Sequence, residues 1–117
     1  MFVLVGAALF VASAPAHAYL AEGSTCWIGT SWPGNPAIHC WTGNVTANPQ
    51  HQVYAKSDGL YGLGGTHSIG WEVIDVSNRV VVGSGQCWRC TTTIGGLYGT
   101  YQMHMWGLGG TATLSNW

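Results

Sequence analysis

Four cysteines carry the most reactive side chains of this sequence, and two of them, Cys87 and Cys90, have the CxxC spacing of thiol redox motifs. Redox CxxC motifs begin a helix whose dipole stabilises the thiolate, whereas the Thr-Thr-Thr-Ile-Gly-Gly of residues 91–96 favours a strand and a turn. Haem attachment would need a histidine at position 91, which is threonine. Zinc would need free thiolates, which an oxidising compartment removes. The cysteines therefore favour structural disulfides, with no metal and no other cofactor.

The pairing of Cys26, Cys40, Cys87 and Cys90 is open, because four cysteines allow three connectivities. One local feature bears on it. The segment Trp32-Pro33-Gly34-Asn35 has proline and glycine at the central positions of a type II turn. If this turn folds a hairpin, the first two cysteines lie almost opposite one another. We therefore favour Cys26–Cys40 with Cys87–Cys90, and a crossed pairing such as Cys40–Cys87 is the alternative.

The sequence has few acidic residues that could support hydrolytic catalysis. Glu72 and Asp75 lie at an odd spacing in one predicted strand, so they point to opposite faces and cannot flank a glycosidic bond together. The chain has no Gly-x-Ser-x-Gly motif. Histidines occur at positions 39, 51, 67 and 104, but no spacing selects a catalytic triad among them. We predict that the protein is not an enzyme and has no catalytic residues.

Aromatic side chains are in surplus, with seven tryptophans and five tyrosines. We expect about half of them, including Trp41, Trp71 and Trp88, to lie in the core or over the disulfides. The others remain for the surface. An exposed aromatic patch of this kind marks an interaction surface.

Three aromatic residues are expected at the surface, because Trp32 lies in the Pro/Gly turn and Tyr61 and Trp106 each adjoin a glycine-rich turn. On the strand predicted over 100–106, Gln102, His104 and Trp106 share the more polar face. An indole beside amide and imidazole groups suits a neutral sugar, whose C–H faces stack and whose hydroxyls hydrogen-bond. The candidate ligand-binding residues are therefore Trp32, Tyr61, His67, Gln102, His104 and Trp106.

Charged residues are scarce: the chain has three Lys or Arg and four Asp or Glu, with a formal net charge of -1. No basic patch is available to follow a phosphate backbone, so nucleic acid is excluded as a partner. The sequence has too few acidic residues for hydrolysis and too little positive charge to bind polyanions. It therefore favours a secreted, non-catalytic binding domain. Its predicted partner is a neutral polysaccharide or a cell-surface glycan, although low charge and many aromatics also suit self-association.

A secreted antimicrobial or inhibitory protein, acting on a rival's envelope or protease, is the alternative function. The segment Trp32-Pro33-Gly34-Asn35-Pro36, pinned by a disulfide, is the feature that fits an inhibitor loop.

An export signal is predicted at the start of the chain. Residues 2–12 form an uncharged apolar run that is too short for a membrane span, and Ala16 and Ala18 match the Ala-x-Ala cleavage pattern. No Lys or Arg precedes the run, and a buried N-terminal helix is the alternative. We predict that a signal peptide over 1–18 is cleaved after Ala18. A single extracellular domain over 19–117 then has no transmembrane segment, and Asn44 begins a glycosylation sequon that matters only in a eukaryotic host.

The elements that must position these residues are predicted to be strands. No apolar 3.6-residue period runs far enough for a helix, while residues 71–76 and 100–106 alternate with a period of two. Ser77 and Asn78 supply a turn, and the valines at 80–82 return as a partner strand. Shorter strands are expected at 25–30, 38–45, 51–56, 86–94 and 111–116. Roughly seven or eight antiparallel strands predict an all-β fold, a small disulfide-stabilised β-sandwich or barrel.

The sequence Gly-Leu-Gly-Gly-Thr occurs twice, at 62–66 after Tyr61 and at 107–111 after Trp106. Upstream, the Cys-Trp pair at 40–41 is echoed at 87–88. Segments 40–71 and 87–117 are therefore predicted to be internal repeats of a Greek-key-like domain with a pseudo-twofold axis. Coincidence in a chain with eighteen glycines is the alternative. We expect positive φ at one or more glycines of each copy.

Overall fold

The structure is a computed structural model that describes residues 20–29, 38–59, 69–107 and 109–117. These parts of the chain form nine strands and no helix, which confirms the all-β prediction with one or two strands more than expected. Accordingly, none of the described segments is a helix long and apolar enough to cross a membrane. The strands are β1 Gly23–Ile28, β2 Ile38–Trp41, β3 Val45–Thr46, β4 Val53–Gly59, β5 Gly70–Asp75, β6 Val81–Gln86, β7 Arg89–Ile94, β8 Thr100–Gly107 and β9 Gly110–Ser115.

Two antiparallel sheets form a sandwich. Sheet A has the strand order β1-β9-β4-β7, and sheet B has the order β2-β8-β5-β6. The short β3 also pairs with β8, beyond the end of β2. Sequence neighbours β4 and β5 therefore lie in different sheets, as do β6 and β7, so the chain crosses repeatedly between the two layers.

The core lies between the inner faces of the two sheets. Along β8 the side chains alternate between buried and half-buried, with Tyr101, Met103 and Met105 directed inward. From sheet A, Ala112 and Leu114 of β9 join the same apolar cluster. Burying a large apolar side chain contributes about 1.5–3 kcal/mol, so the period of two read from the sequence decides which face of each strand is available at the surface.

The β5–β6 hairpin turns at Ser77 and Asn78, as predicted. Oδ1 of Asp75 accepts hydrogen bonds from the Ser77 hydroxyl at 2.6 Å and from the Ser77 backbone N–H at 2.8 Å. These bonds favour the carboxylate and hold the pKa of Asp75 below its ordinary value. Arg79 follows in the left-handed region, with φ of 64°.

The strand expected over 86–94 is divided in two. A continuous strand would separate Cys87 and Cys90 by about 10 Å, whereas their disulfide brings the two Cα atoms to 5.9 Å. The chain instead leaves sheet B after Gln86 and enters sheet A at Arg89. At this crossing the Gly59 N–H donates to the carbonyl oxygen of Trp88 at 2.7 Å.

The second disulfide joins Cys26 to Cys40, the pairing favoured from the sequence. The expected hairpin, however, is wrong. Strand β1 pairs with β9 in sheet A and β2 pairs with β8 in sheet B, so this disulfide links the two sheets across the edge of the core. The 32–35 turn, on which the hairpin argument depended, lies outside the described residues.

The duplication and the export signal stay predictions. Residues 1–18 and the first Gly-Leu-Gly-Gly-Thr copy lie outside the described residues. The second copy connects β8 in sheet B to β9 in sheet A and has positive φ at Gly107, Gly109 and Gly110, as expected. At Gly110 a Cβ atom would lie 2.6 Å from the backbone oxygen of Asp58, so the close approach of β9 to β4 requires glycine there.

Candidate functional site

The outer face of sheet B brings together the chemically most capable side chains among the described residues. In the antiparallel register, His104 of β8 lies opposite Trp41 on β2 and opposite Glu72 on β5. One step along, Trp106 lies opposite His39. We call these five residues the histidine–tryptophan face.

A chain of hydrogen bonds runs across three strands of this face. Nδ1 of His104 lies 3.1 Å from Oε2 of Glu72, and Nε2 of His104 lies 2.8 Å from Nδ1 of His39. Both nitrogens of the central imidazole are therefore engaged, and its side chain is only 13% exposed. The ring of His104 is consequently fixed by partners on both sides.

Ring stacking reinforces the same arrangement. The rings of Trp41 and His104 are nearly parallel, at an interplanar angle of 6° with centroids 4.1 Å apart. The His39 ring is nearly coplanar with that of His104, at an angle of 12° with centroids 5.0 Å apart, because the two imidazoles meet edge to edge through their hydrogen bond. The guanidinium carbon of Arg79 lies 5.7 Å from the Trp41 ring centroid, within cation–π range. Trp41 nevertheless remains 42% exposed, so a fixed indole is presented to solvent.

Trp106 completes the face at the end of β8. Its ring is tilted by 48° to that of His104, with centroids 5.1 Å apart. A Cβ atom at Gly70 would collide with the Trp106 indole, so this ring lies directly over the glycine on β5. The absence of a side chain at position 70 therefore sets the orientation of Trp106.

The sequence-predicted ligand residues divide into three groups. Trp106 and His104 lie on this face, although His104 has both ring nitrogens occupied and acts as its centre. Gln102 uses its amide to donate to the carbonyl oxygen of Thr42 at 2.8 Å, which ties β8 to the loop after β2. Trp32, Tyr61 and His67 lie outside the described residues, as does the 32–36 segment proposed as an inhibitor loop.

Sequence reasoning missed His39 and misplaced Trp41. The expectation that Trp41 packs in the core or over a disulfide is wrong, because Trp41 is on the outer face. A signal for both was present. Cys40 must point inward to reach Cys26, so in a strand its neighbours at 39 and 41 must point outward. Trp71, by contrast, is buried in the core as expected.

The outer face of sheet A has a different chemistry, and we call it the threonine face. One row of neighbouring side chains crosses its four strands and consists, in strand order, of Thr25, Thr113, Lys56 and Thr91. The hydroxyls of Thr25 and Thr113 lie 2.9 Å apart and bond to each other. An open groove of about 840 Å³ runs along this face and is lined by Ala21, Gly23, Thr25, Tyr54, Lys56, Thr91, Thr113, Ser115 and Trp117.

Among the described residues, no group of three His, Cys, Asp or Glu side chains is arranged to hold a metal ion. Neither imidazole of the histidine–tryptophan face hydrogen-bonds to a Ser, Thr or Tyr hydroxyl in this part of the chain. What the arrangement does provide is an oriented indole next to an outward-facing histidine.

Comparison with known proteins gives no relative: neither a protein family, nor a curated protein, nor a solved structure matches this chain.

Proposed function

We propose that the protein is a secreted, non-catalytic binding domain whose histidine–tryptophan face takes a neutral polysaccharide or a cell-surface glycan. The observation that carries this proposal is Trp41, an indole that is stacked at 4.1 Å on His104 and still 42% exposed. A surface ring that is already fixed loses little conformational entropy when a ligand stacks on it.

The polar groups of the face complement such a ligand. His39 is exposed and uses Nδ1 to contact His104, which leaves Nε2 for a ligand hydroxyl. Stacking of a sugar ring's C–H groups on an indole is suited to an uncharged ligand. By analogy with base–aromatic stacking, each stacked ring contributes about 1–3 kcal/mol to binding.

Retention of the purified protein on insoluble cellulose, chitin and xylan tests the proposal. We expect retention on at least one of them, and a loss of affinity of about 5- to 150-fold for Trp41→Ala. Trp106→Ala should weaken binding as well. Trp27→Ala is the matched control, because Trp27 is 67% exposed but lies on sheet A.

Two outcomes would contradict the proposal. One is that no polysaccharide and no cell-surface glycan retains the folded protein. The other is that Trp41→Ala and Trp106→Ala both bind as the unmodified protein does, while circular dichroism shows that they are folded. A loss confined to Trp27→Ala or Trp117→Ala would move the binding site to the threonine face, where both tryptophans are exposed.

A further inference from the structure

The hydrogen-bond chain through Glu72, His104 and His39 fixes which nitrogen of each imidazole carries the proton. An ionised carboxylate only accepts, so Nδ1 of His104 must donate to Glu72 across 3.1 Å. A neutral imidazole has one N–H, which leaves Nε2 of His104 as an acceptor. Nδ1 of His39 must then donate to it across 2.8 Å. In this state Nε2 of His39 is an acceptor with a lone pair facing solvent.

Adding one proton reverses these roles. The added positive charge is best placed on His104, because that ring lies beside the Glu72 carboxylate and is stacked on the Trp41 indole. A doubly protonated His104 donates from Nε2, so Nδ1 of His39 has to accept. The steps balance: a solvent proton forms an N–H bond at Nε2 of His39, and the proton on Nδ1 of His39 passes to Nε2 of His104.

We propose that His39 selects the chemical class of the ligand by this inversion. With both imidazoles neutral, Nε2 of His39 accepts a hydrogen bond from the hydroxyl of a neutral sugar. After one protonation, the same atom donates and the face has one more positive charge, which suits the carboxylate of an acidic sugar. The ligand preference depends on the proposed function, whereas the inversion is a property of the unliganded protein.

The charged and titratable groups around the Glu72–His104–His39 hydrogen-bond chain favour the uptake of one proton. In the described residues, β5 contributes Glu72, β8 contributes His104 and β2 contributes His39 to this face. Outward positions of β6 opposite these residues are uncharged, and the nearest fixed cation is Arg79 beside Trp41. A second proton would set two N–H groups against each other across the 2.8 Å contact, so the hydrogen-bonded pair accommodates one added proton and not two.

Long-range ¹H–¹⁵N correlation of the imidazole nitrogens, recorded between about pH 8 and pH 5 without ligand, tests the inversion in the full chain. At the upper limit we expect Nε2 of His39 to be unprotonated. At the lower limit we expect Nε2 of His39 to carry a proton and both nitrogens of His104 to carry one. Protonation of His39 Nε2 at the upper limit, or an imidazolium on His39 in place of His104, would overturn the proposal.

Glu72→Gln separates the inversion from simple titration of exposed histidines. The Gln amide oxygen still accepts from Nδ1 of His104, but the negative charge is lost. We expect a smaller fraction of doubly protonated His104 at the lower pH limit than in the unmodified protein, because the charge that favours it is gone. An unchanged fraction would contradict the role assigned to Glu72. Gln102→Asn is the matched control on β8, since Gln102 contacts Thr42 and takes no part in the chain.

Binding of soluble cellohexaose and of a galacturonic acid hexamer at the same two pH values tests the ligand class. We expect the affinity for the acidic hexamer to rise at least about tenfold from the upper to the lower pH, with a smaller change for the neutral one. If both change equally, His39 does not select the class. If neither hexamer binds while chitin or xylan retains the protein, the expected preference for an acidic sugar at low pH is wrong. If no glycan retains the protein, the proposed function is wrong, and the spectroscopic result still decides the inversion.

Discussion

The two outer faces of the sandwich are built from the same antiparallel alternation but use their polar side chains differently. On the threonine face, hydroxyls pair with each other and Arg89 pairs with Asp58 at 2.9 Å, both side chains being well exposed. On the histidine–tryptophan face, the polar groups form one chain with a nearly buried centre, and aromatic rings stack against it.

Exposure alone therefore does not identify a binding face. Trp27 is more exposed than Trp41, at 67% against 42%. Among the described residues, however, Trp27 has no stacked ring or cation to hold it, whereas Trp41 has His104 and Arg79. An isolated exposed ion pair, such as Arg89–Asp58 on the threonine face, stabilises the protein by only about 0–1 kcal/mol. A ring held by several partners, by contrast, is already oriented before a ligand binds, and this preorganisation favours affinity.

Of the changes considered for the two faces, removal of the disulfide between the sheets should have the largest effect on the free energy of unfolding. Because Cys26–Cys40 ties the four-residue strand β2 to sheet A, its loss by Cys26→Ala with Cys40→Ala should lower the free energy of unfolding by about 3 kcal/mol. Urea denaturation measures this. The double variant at Cys87 and Cys90, which closes a much shorter loop, should lose only about 2 kcal/mol. A reversed order would show that chain entropy does not govern either disulfide.

A methyl group at position 70 should disturb one face and leave the other unchanged. Gly70→Ala places a Cβ against the Trp106 indole, so we expect a loss of about 2 kcal/mol in unfolding free energy and a reoriented ring. The control is Gly23→Ala on the edge of the threonine face, where the nearest atom, Cβ of Ser115, is 3.6 Å away. That change should stay within about 0.5 kcal/mol. Equal effects would contradict the assigned packing of Trp106.

A smaller difference in unfolding free energy is expected between variants that lack a carboxylate on one face or the other. Glu72→Ala leaves the Nδ1–H of the largely buried His104 without its acceptor, which should cost about 1–2 kcal/mol of unfolding free energy. Asp58→Ala removes an exposed ion pair with Arg89 and should cost less than about 1 kcal/mol. If Asp58 proves the more important of the two, the histidine–tryptophan face is not the more tightly organised one.

The smallest effect is expected at the hairpin turn of sheet B in acid. Hydrogen bonds from Ser77 lower the pKa of Asp75 in the folded protein. The resulting stabilisation is therefore complete above the unfolded pKa and is lost as the pH falls through the folded one. Asp75→Asn should remove that part of the acid dependence, seen as a flatter stability profile below about pH 4. An unchanged profile would mean that the Ser77 hydrogen bonds do not persist in solution.

The sequence predicts the fold better than it predicts the site. Period-two alternation correctly assigns the inward and outward positions of β8, because burial of Met103 and Met105 leaves His104 and Trp106 on the other side. It could not assign β1 and β2 to different sheets, since the register depends on which distant strand each one meets. For the same reason, the pairing of His39 and Glu72 with His104 was not predictable: these residues are 65 and 32 positions away from it.

The most direct test of the central claim, that sheet B presents the binding face, is to follow the indole N–H signals of all tryptophans during titration. Cellohexaose, chitohexaose and xylohexaose are suitable soluble probes. We expect saturable shifts of the Trp41 and Trp106 signals with at least one of them, while those of Trp27 and Trp117 on the threonine face remain unchanged. Shifts confined to Trp27 and Trp117, or no saturable shift with any neutral oligosaccharide, would contradict the claim.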